Sequence, residues 1–206
     1  MIRKPLGSTK YDPLPAKTYT SSSGGSGGTY SGSTPSNTSD KIDPSPARSN
    51  NIEPTKGTKN LKGHSKSRGL RNNNPLNIVK TKINWEGEDP TGNDSKFEVF
   101  KDFHSGARAA VKNIVNKVDN NKVITIKDLI YTWAPASDGN NPEQYTNFIA
   151  GKMGVTPNTR IDTKNRDFIA KLTYYMAIKE NGQDAINSAG VTVEDFAKGY
   201  DMANIG

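Results

Sequence analysis

The sequence predicts an α+β fold in which helices dominate, preceded by a basic, low-complexity arm. Residues 1–67 contain clusters of Ser, Gly, Thr and Pro and almost no apolar run. Such a segment cannot bury enough surface to offset its chain entropy, so it should be extended or disordered. Residues 68–206 carry nearly all of the Val, Ile, Phe, Met and Trp residues, much of them at helical spacing. The second segment therefore predicts one compact, mostly helical domain.

Charge divides at the same boundary. Residues 1–67 hold ten basic and four acidic residues, a net charge of +6, whereas the remaining segment has a net charge of only +1. The arm is thus suited to an acidic protein surface, anionic lipid or nucleic acid, or it acts as a solvated tether. Nucleic-acid binding rests on the arm charge alone, because the domain is nearly neutral.

Composition excludes several classes of site. The chain has no cysteine, which rules out disulfides and thiolate metal sites. Neither His64 nor His104 has ligand spacing to another candidate, so the sequence predicts no metal and no cofactor. Polar residues and prolines interrupt the first 15 residues, so neither a secretory signal nor a membrane span is predicted.

The domain should begin with a turn and a small β-hairpin. The segment 68–77 contains three consecutive asparagines before Pro75, a pattern typical of a tight polar turn. Short strands are predicted at 78–83 and 97–100, separated by turn-forming residues.

Helix-capping residues mark the remaining elements. Predicted helix starts lie at Ser105, at Thr125 with Asp128, at Asn141 followed by Pro142, at Thr163, and at Thr192 with Asp195. Pro135, Gly154 and Asn181-Gly182 should end the second, third and fourth helices. The fourth, 163–180, is expected to be the longest.

A series of short motifs follows a specific order along the domain. It runs RGLRNNNPLNI (68–78), WEG (85–87), FEVF (97–100), GARA (106–109), TI (125–126), WAP (133–135), Tyr145, GV (154–155) and ENG (180–182). This series resembles a family of bacteriophage virion-associated proteins with a lysozyme-like, peptidoglycan-cleaving domain. One departure is Leu76, where the family motif usually has Gly. A bulkier side chain there affects how closely a sugar approaches the backbone.

The resemblance implies cleavage of glycan strands by a virion component, during penetration of the host envelope or release from the cell. Carriage on the particle explains the absence of a signal peptide, and residues 1–67 would attach to other virion proteins. A structural virion protein that keeps the fold without activity is the alternative. A nucleic-acid-packaging protein is a third.

Glu180 is the first candidate for a catalytic acid. Cleavage needs a carboxylic acid that holds its proton near neutral pH. Glu180 lies at the edge of an apolar helical stripe and in the last turn, where the helix dipole disfavours negative charge. Glu180-Asn-Gly182 resembles the setting of the acid in lysozyme-like folds, although the acid comes late in the chain, as a circular permutation would place it. The alternative is an ordinary solvated glutamate.

Two further glutamates are candidates for a second carboxylate. Glu86 lies beside Trp85, and Glu98 is expected on the polar side of its strand, facing solvent or a cleft. A single acid suits a lytic transglycosylase, in which a hydroxyl of the sugar itself attacks, whereas two carboxylates suit a muramidase. The sequence leaves this choice open.

Substrate binding is predicted for two sets of residues. Amide side chains suited to sugar hydroxyls and N-acetyl groups occur at Asn72, Asn73, Asn74 and Asn77, although satisfying the turn is an equal alternative. Rings suited to stacking on sugars occur at Trp85, Tyr145 and Tyr174. Trp133 and Tyr131 are weaker candidates, because Trp133 before Pro135 is more typical of a core residue.

Overall fold

The structure is a computed structural model that describes residues 58–63, 67–120 and 123–205. Helices dominate this part of the chain, as predicted. They are α1 (Arg68–Arg71), α2 (Phe103–Asn120), α3 (Ile126–Trp133), a 3₁₀ turn (Ala136–Asp138), α4 (Pro142–Met153), α5 (Arg166–Asn181), α6 (Gln183–Ser188) and α7 (Val193–Ala203).

The core forms where α2 packs against α5 and α7. Phe103 of α2 meets Phe196 of α7 edge to face, with ring centroids 5.6 Å apart. The two helices approach closely at Gly199, where an added Cβ would lie 2.8 Å from the Cβ of Ala107. A residue larger than glycine would therefore force the helices apart.

Several predicted helix ends are confirmed. Thr125 and Asp128 form a reciprocal capping box at the start of α3. The Asn141 side chain accepts a hydrogen bond from the Gln144 N–H, and Gly154 ends α4 in the left-handed region.

Two other helix boundaries differ from the prediction. Helix α2, predicted to start at Ser105, starts at Phe103, because Asp102 supplies the cap by accepting from the Ser105 N–H at 2.9 Å. Helix α5 starts after Asn165, whose side chain accepts from the Phe168 N–H. The fourth predicted helix is consequently not the longest, since α5 has 16 residues and α2 has 18.

The predicted hairpin is not formed, and the described residues contain no strand. Isolated antiparallel bridges join Val79 to Phe97 and Glu88 to Phe100. Other groups use the hydrogen bonds that would extend a ladder: the Phe100 N–H donates to Asn72 O, and the Asn74 side chain donates to the carbonyls of Ile78 and Glu98. The turn thus takes the place of a second strand.

Part of the segment assigned to the arm packs on the helical domain. Leu61 is buried in the core, and its N–H donates to Asn73 Oδ1 at 2.8 Å. The Lys59 carbonyl accepts from the Phe103 N–H at 2.7 Å. The packed unit therefore begins before Arg68. Residues 1–57 and 64–66 lie outside the described part, so the arm itself stays a prediction.

Among the described helices, none combines the length and apolar character needed to cross a membrane.

Candidate functional site

The asparagine turn at 72–77 is the first structural part of the site. Asn73 and Asn74 are fully buried, and protein groups satisfy their amides, including the carbonyls of Phe100, Ile78 and Glu98. Helix α2 crosses the turn at Gly106, where an added Cβ would lie 1.6 Å from Asn73 O.

This arrangement matches the turn-satisfying alternative for Asn73 and Asn74. The Asn72 amide donates to Asp94 Oδ2 at 2.7 Å. None of these three asparagines lines the cavity described below, whereas Asn77 does.

The end of α5 is fastened to this turn. The Asn181 side chain donates to Pro75 O at 2.7 Å and to Ala177 O within its own helix at 2.8 Å. The Ser67 hydroxyl donates to the Oδ1 atom of the same Asn181 side chain. Glu180 therefore lies next to the asparagine turn, and the Asn77 amide donates to Glu180 Oε2 at 3.2 Å.

Neutral donors surround the Glu180 carboxyl group. Oε1 accepts from the Tyr145 hydroxyl at 3.1 Å and from Trp133 Nε1 at 3.3 Å, while Oε2 accepts from Asn77. Within the described residues, no salt bridge reaches Glu180.

Burial sets the protonation of the acid. Removal of the carboxyl group from water raises the pKa of Glu180 from 4.5 to about 8, although hydrogen bonds from three donors favour the ionised form. The location of Glu180 in the last turn of α5 acts in the same direction as burial. Burial also raises the pKa of Tyr145, which keeps its hydroxyl available as a donor near neutral pH.

A cavity of about 310 Å³ opens in front of Glu180. Residues 76–85 form one wall, and residues from α2, the end of α3, α4 and α5 form the others. Trp85, Trp133 and Tyr145 supply aromatic surface, and Leu76, whose side chain is 1% exposed, packs at its inner edge. Glu180 is the only acidic residue among those that line this cavity.

The second-carboxylate candidates lie elsewhere. Glu86 is largely exposed and pairs with Arg108. Glu98 was predicted to face solvent or a cleft; it is 2% exposed, so it does not face solvent, and it accepts from the Thr81 N–H at 3.1 Å. Burial raises the pKa of Glu98, and the nearby Glu88 adds to this effect. Neither candidate lines the cavity.

Of the aromatic candidates for substrate binding, Trp85 and Tyr145 line the cavity and Tyr174 does not. Tyr174 packs edge to face against Tyr175 and Phe196, which directs it to α7 rather than to the cavity. Trp133, expected in the core, lines the cavity and donates to the acid. Tyr131 is exposed.

Sequence reasoning missed two cavity lysines, Lys117 of α2 and Lys179 of α5. Each looks like an ordinary solvated residue in the sequence, and no motif marks it. Their role depends on which helices meet across the cavity.

A metal site finds no support in the part of the chain that the structure describes. No group of three or more His, Asp or Glu side chains comes together there. His104 lies 3.1 Å from Asp195, away from the cavity.

The described residues form a helical protein with a cavity, and the half-buried acid Glu180 in its wall is contacted by neutral donors. No family profile matches the chain. The chain is 32% identical to Protein P5 of Pseudoalteromonas phage PM2 over 143 residues, which cover 68% of this chain and 84% of that protein. It therefore belongs to the family of this phage protein.

Proposed function

We propose that this chain is a virion-carried enzyme that cleaves the glycan strands of peptidoglycan with Glu180 as general acid. The observation that carries the proposal is Glu180 itself, an acid with a pKa raised by burial to about 8 at the wall of an open cavity. The lysozyme-like resemblance of the motif series supports the same function, and the membership in a phage protein family supports its place in the virion.

The first chemical step uses the proton on Glu180. The acid donates this proton to the glycosidic oxygen, and the bond from that oxygen to the anomeric carbon breaks. The resulting carboxylate is stabilised at Oε1 by the hydrogen bonds from Tyr145 and Trp133. Because these donors are in place before the proton leaves, little reorganisation accompanies the charge change.

For the second step, the acidic residues at the cavity favour a lytic transglycosylase over a muramidase. Among the described residues, no second carboxylate lines the cavity to act as a nucleophile or to activate water. The 6-hydroxyl of the muramic acid then attacks the anomeric carbon and gives its proton to the Glu180 carboxylate. The product carries a 1,6-anhydro ring, and Glu180 regains its proton for the next cycle.

The test is the release of muropeptides from purified peptidoglycan by the full chain, followed by mass analysis of the new ends. The proposal predicts soluble products with anhydro ends and their loss in Glu180→Gln. Glu86→Gln is the matched control, because Glu86 is exposed and outside the cavity, and it should retain activity. Products with reducing ends would replace the transglycosylase by a muramidase. An inactive wild type would favour a structural virion protein.

A further inference from the structure

The walls of the Glu180 cavity carry more positive than negative charge. Its ionisable lining consists of Lys117, Lys179 and Glu180, besides Tyr145. With Glu180 protonated, the two ammonium groups are not balanced by any charge of the lining. A neutral sugar has no group that requires such a charge.

The two ammonium groups lie next to the donors that contact the acid. Lys117 Nζ is 5.8 Å from the ring centroid of Trp133, and Lys179 Nζ is 5.8 Å from that of Tyr145. Since both rings donate to Glu180 Oε1, each lysine is within one side chain of the acid. The positive charge is therefore located beside the two aromatic donors of the acid.

Neither lysine has a carboxylate partner in the described part of the chain. Lys117 is partly buried, and this burial lowers its pKa. A desolvated cation is costly to keep without an anion, and elsewhere the domain supplies one, as for Lys59 with Asp195 at 2.5 Å. Lys179 is exposed at the cavity, so a bound anion can reach both ammonium groups without first breaking an ion pair of the described residues.

We infer that Lys117 and Lys179 bind a carboxylate of the substrate and so select a glycan that carries acidic groups beside the cleaved bond. This inference rests on the proposed function and narrows it. Peptidoglycan offers two sources of such a carboxylate: the acidic residues of the stem peptide, and the lactyl group of muramic acid when the peptide is absent. Chitin, with a related neutral backbone, offers neither.

Binding can be followed without cleavage. Both tryptophans of the chain, Trp85 and Trp133, line the cavity, so intrinsic fluorescence reports its occupancy. Three ligands are titrated into full-length Glu180→Gln: a peptide-bearing muropeptide tetrasaccharide, the same glycan stripped of its peptides, and chitotetraose. The inference predicts tighter binding of at least one anionic ligand than of chitotetraose. The stripped glycan shows whether the lactyl carboxylate or the peptide is recognised.

The lysine variants provide the decisive comparison. Lys117→Met and Lys179→Met should each weaken anionic binding about tenfold and leave chitotetraose binding unchanged. Lys112→Met and Lys171→Met are matched controls on the same two helices, outside the cavity lining, and should bind like the parent. If Lys117→Met unfolds, Lys179→Met and the salt dependence of anionic binding by the parent still test whether lysines bind the anionic group.

The outcomes separate this inference from the cleavage proposal. Equal affinity for chitotetraose and the anionic ligands, or anionic binding insensitive to both lysines, overturns the inference even if the wild type cleaves peptidoglycan. Lysine-dependent anionic binding by a wild type that releases no muropeptides supports the anionic site and overturns the cleavage proposal.

Discussion

Two carboxyl groups in this molecule, the buried Asp195 and the half-buried Glu180, have opposite surroundings. Asp195, at the start of α7, is met by Lys59 at 2.5 Å and His104 at 3.1 Å. Burial by itself would raise the pKa of Asp195, but hydrogen bonds from His104 and Lys59 outweigh it and hold the pKa well below its usual range. Glu180 has only neutral donors and opens into a cavity, and its pKa is raised to about 8.

This difference distinguishes a structural acid from a chemical one. The Asp195 carboxylate is compensated by charge, so its ionised form helps to hold α7, α2 and residues 58–63 together. The Glu180 carboxyl group is left without a cation in contact, so its neutral form persists and the proton remains available.

The largest expected effect comes from neutralising each of the two acids in turn and comparing activity with stability. Glu180→Gln should lower peptidoglycan cleavage by about a thousandfold or more, since general acid catalysis contributes that much. Its melting temperature near pH 7 should not fall, because the amide replaces a neutral acid of the same shape. Asp195→Asn should lose about 2 to 4 kcal/mol of unfolding free energy, because it leaves Lys59 unpaired. Cleavage rates and denaturant unfolding measure both.

Below its melting temperature, Asp195→Asn should retain the wild-type cleavage rate. The comparison breaks if Asp195→Asn lowers the rate as strongly as Glu180→Gln, or if Glu180→Gln unfolds the protein.

Leu61 tests how much residues 58–63 contribute to the structural region. Leu61→Ala should cost about 2 to 5 kcal/mol of unfolding free energy, since the side chain is 6% exposed and contributes to the main core. Met202→Ala, at an apolar side chain that is 46% exposed, is the control and should change stability by less than about 0.5 kcal/mol. An equally small effect at Leu61 would return the domain boundary to Arg68.

Two N-terminal deletions, one that keeps residues 58–63 and one that removes them, test the same contribution. Removal of residues 1–57 should leave the melting temperature of the remaining chain unchanged. Removal of residues 1–67 also takes away Lys59 and Leu61 and should lower it, as circular dichroism can show. Equal melting temperatures of the two truncated chains would contradict this contribution.

Stability should depend on pH through Glu180. Between pH 4.5 and about 8 the folded protein keeps a proton that the unfolded chain releases, so stability attributable to this group falls as the pH rises. The melting temperature of Glu180→Gln minus that of the wild type should therefore be near zero at pH 4.5. It should reach roughly 5 °C or more by pH 8. A difference that does not change with pH would contradict the raised pKa.

The smallest expected effect concerns a single donor. Tyr145→Phe removes the hydroxyl that contacts Glu180 Oε1 and should lower cleavage about tenfold, the order of one hydrogen bond to a developing charge. Tyr174→Phe, packed against Phe196 away from the cavity, should leave the rate unchanged. Equal rates for all three proteins would show that this donor does not assist the acid.

Local signals in the sequence were sufficient for much of the fold. The capping residues at Thr125 and Asn141 and the stop at Gly154 depend on neighbours within four residues, and the structure confirms each. The hairpin failed because Asn72 and Asn74 take hydrogen-bonding groups of the two expected strands. The neighbouring Asn73 is held against α2 and residues 58–63. Such competition has no local signature.

The site shows the same division. The location of Glu180 at a stripe edge and near the asparagine turn could be anticipated from spacing and motif order. The assignment of Tyr174 failed, because position on a helix does not reveal that α7 covers that face. Lys117 and Trp133 face the same cavity as Glu180 only after α2, α3 and α5 have packed.

The central claim is that Glu180 carries a proton near neutral pH. The most direct measurement is an NMR titration of the Glu180 side-chain carboxyl carbon in full-length protein, assigned by its loss in Glu180→Gln. A midpoint near 8 is predicted, with Asp195 remaining ionised throughout the range from pH 4 to about 8. A Glu180 midpoint near the ordinary value of 4.5 would contradict the claim and remove the proton on which the proposed cleavage depends.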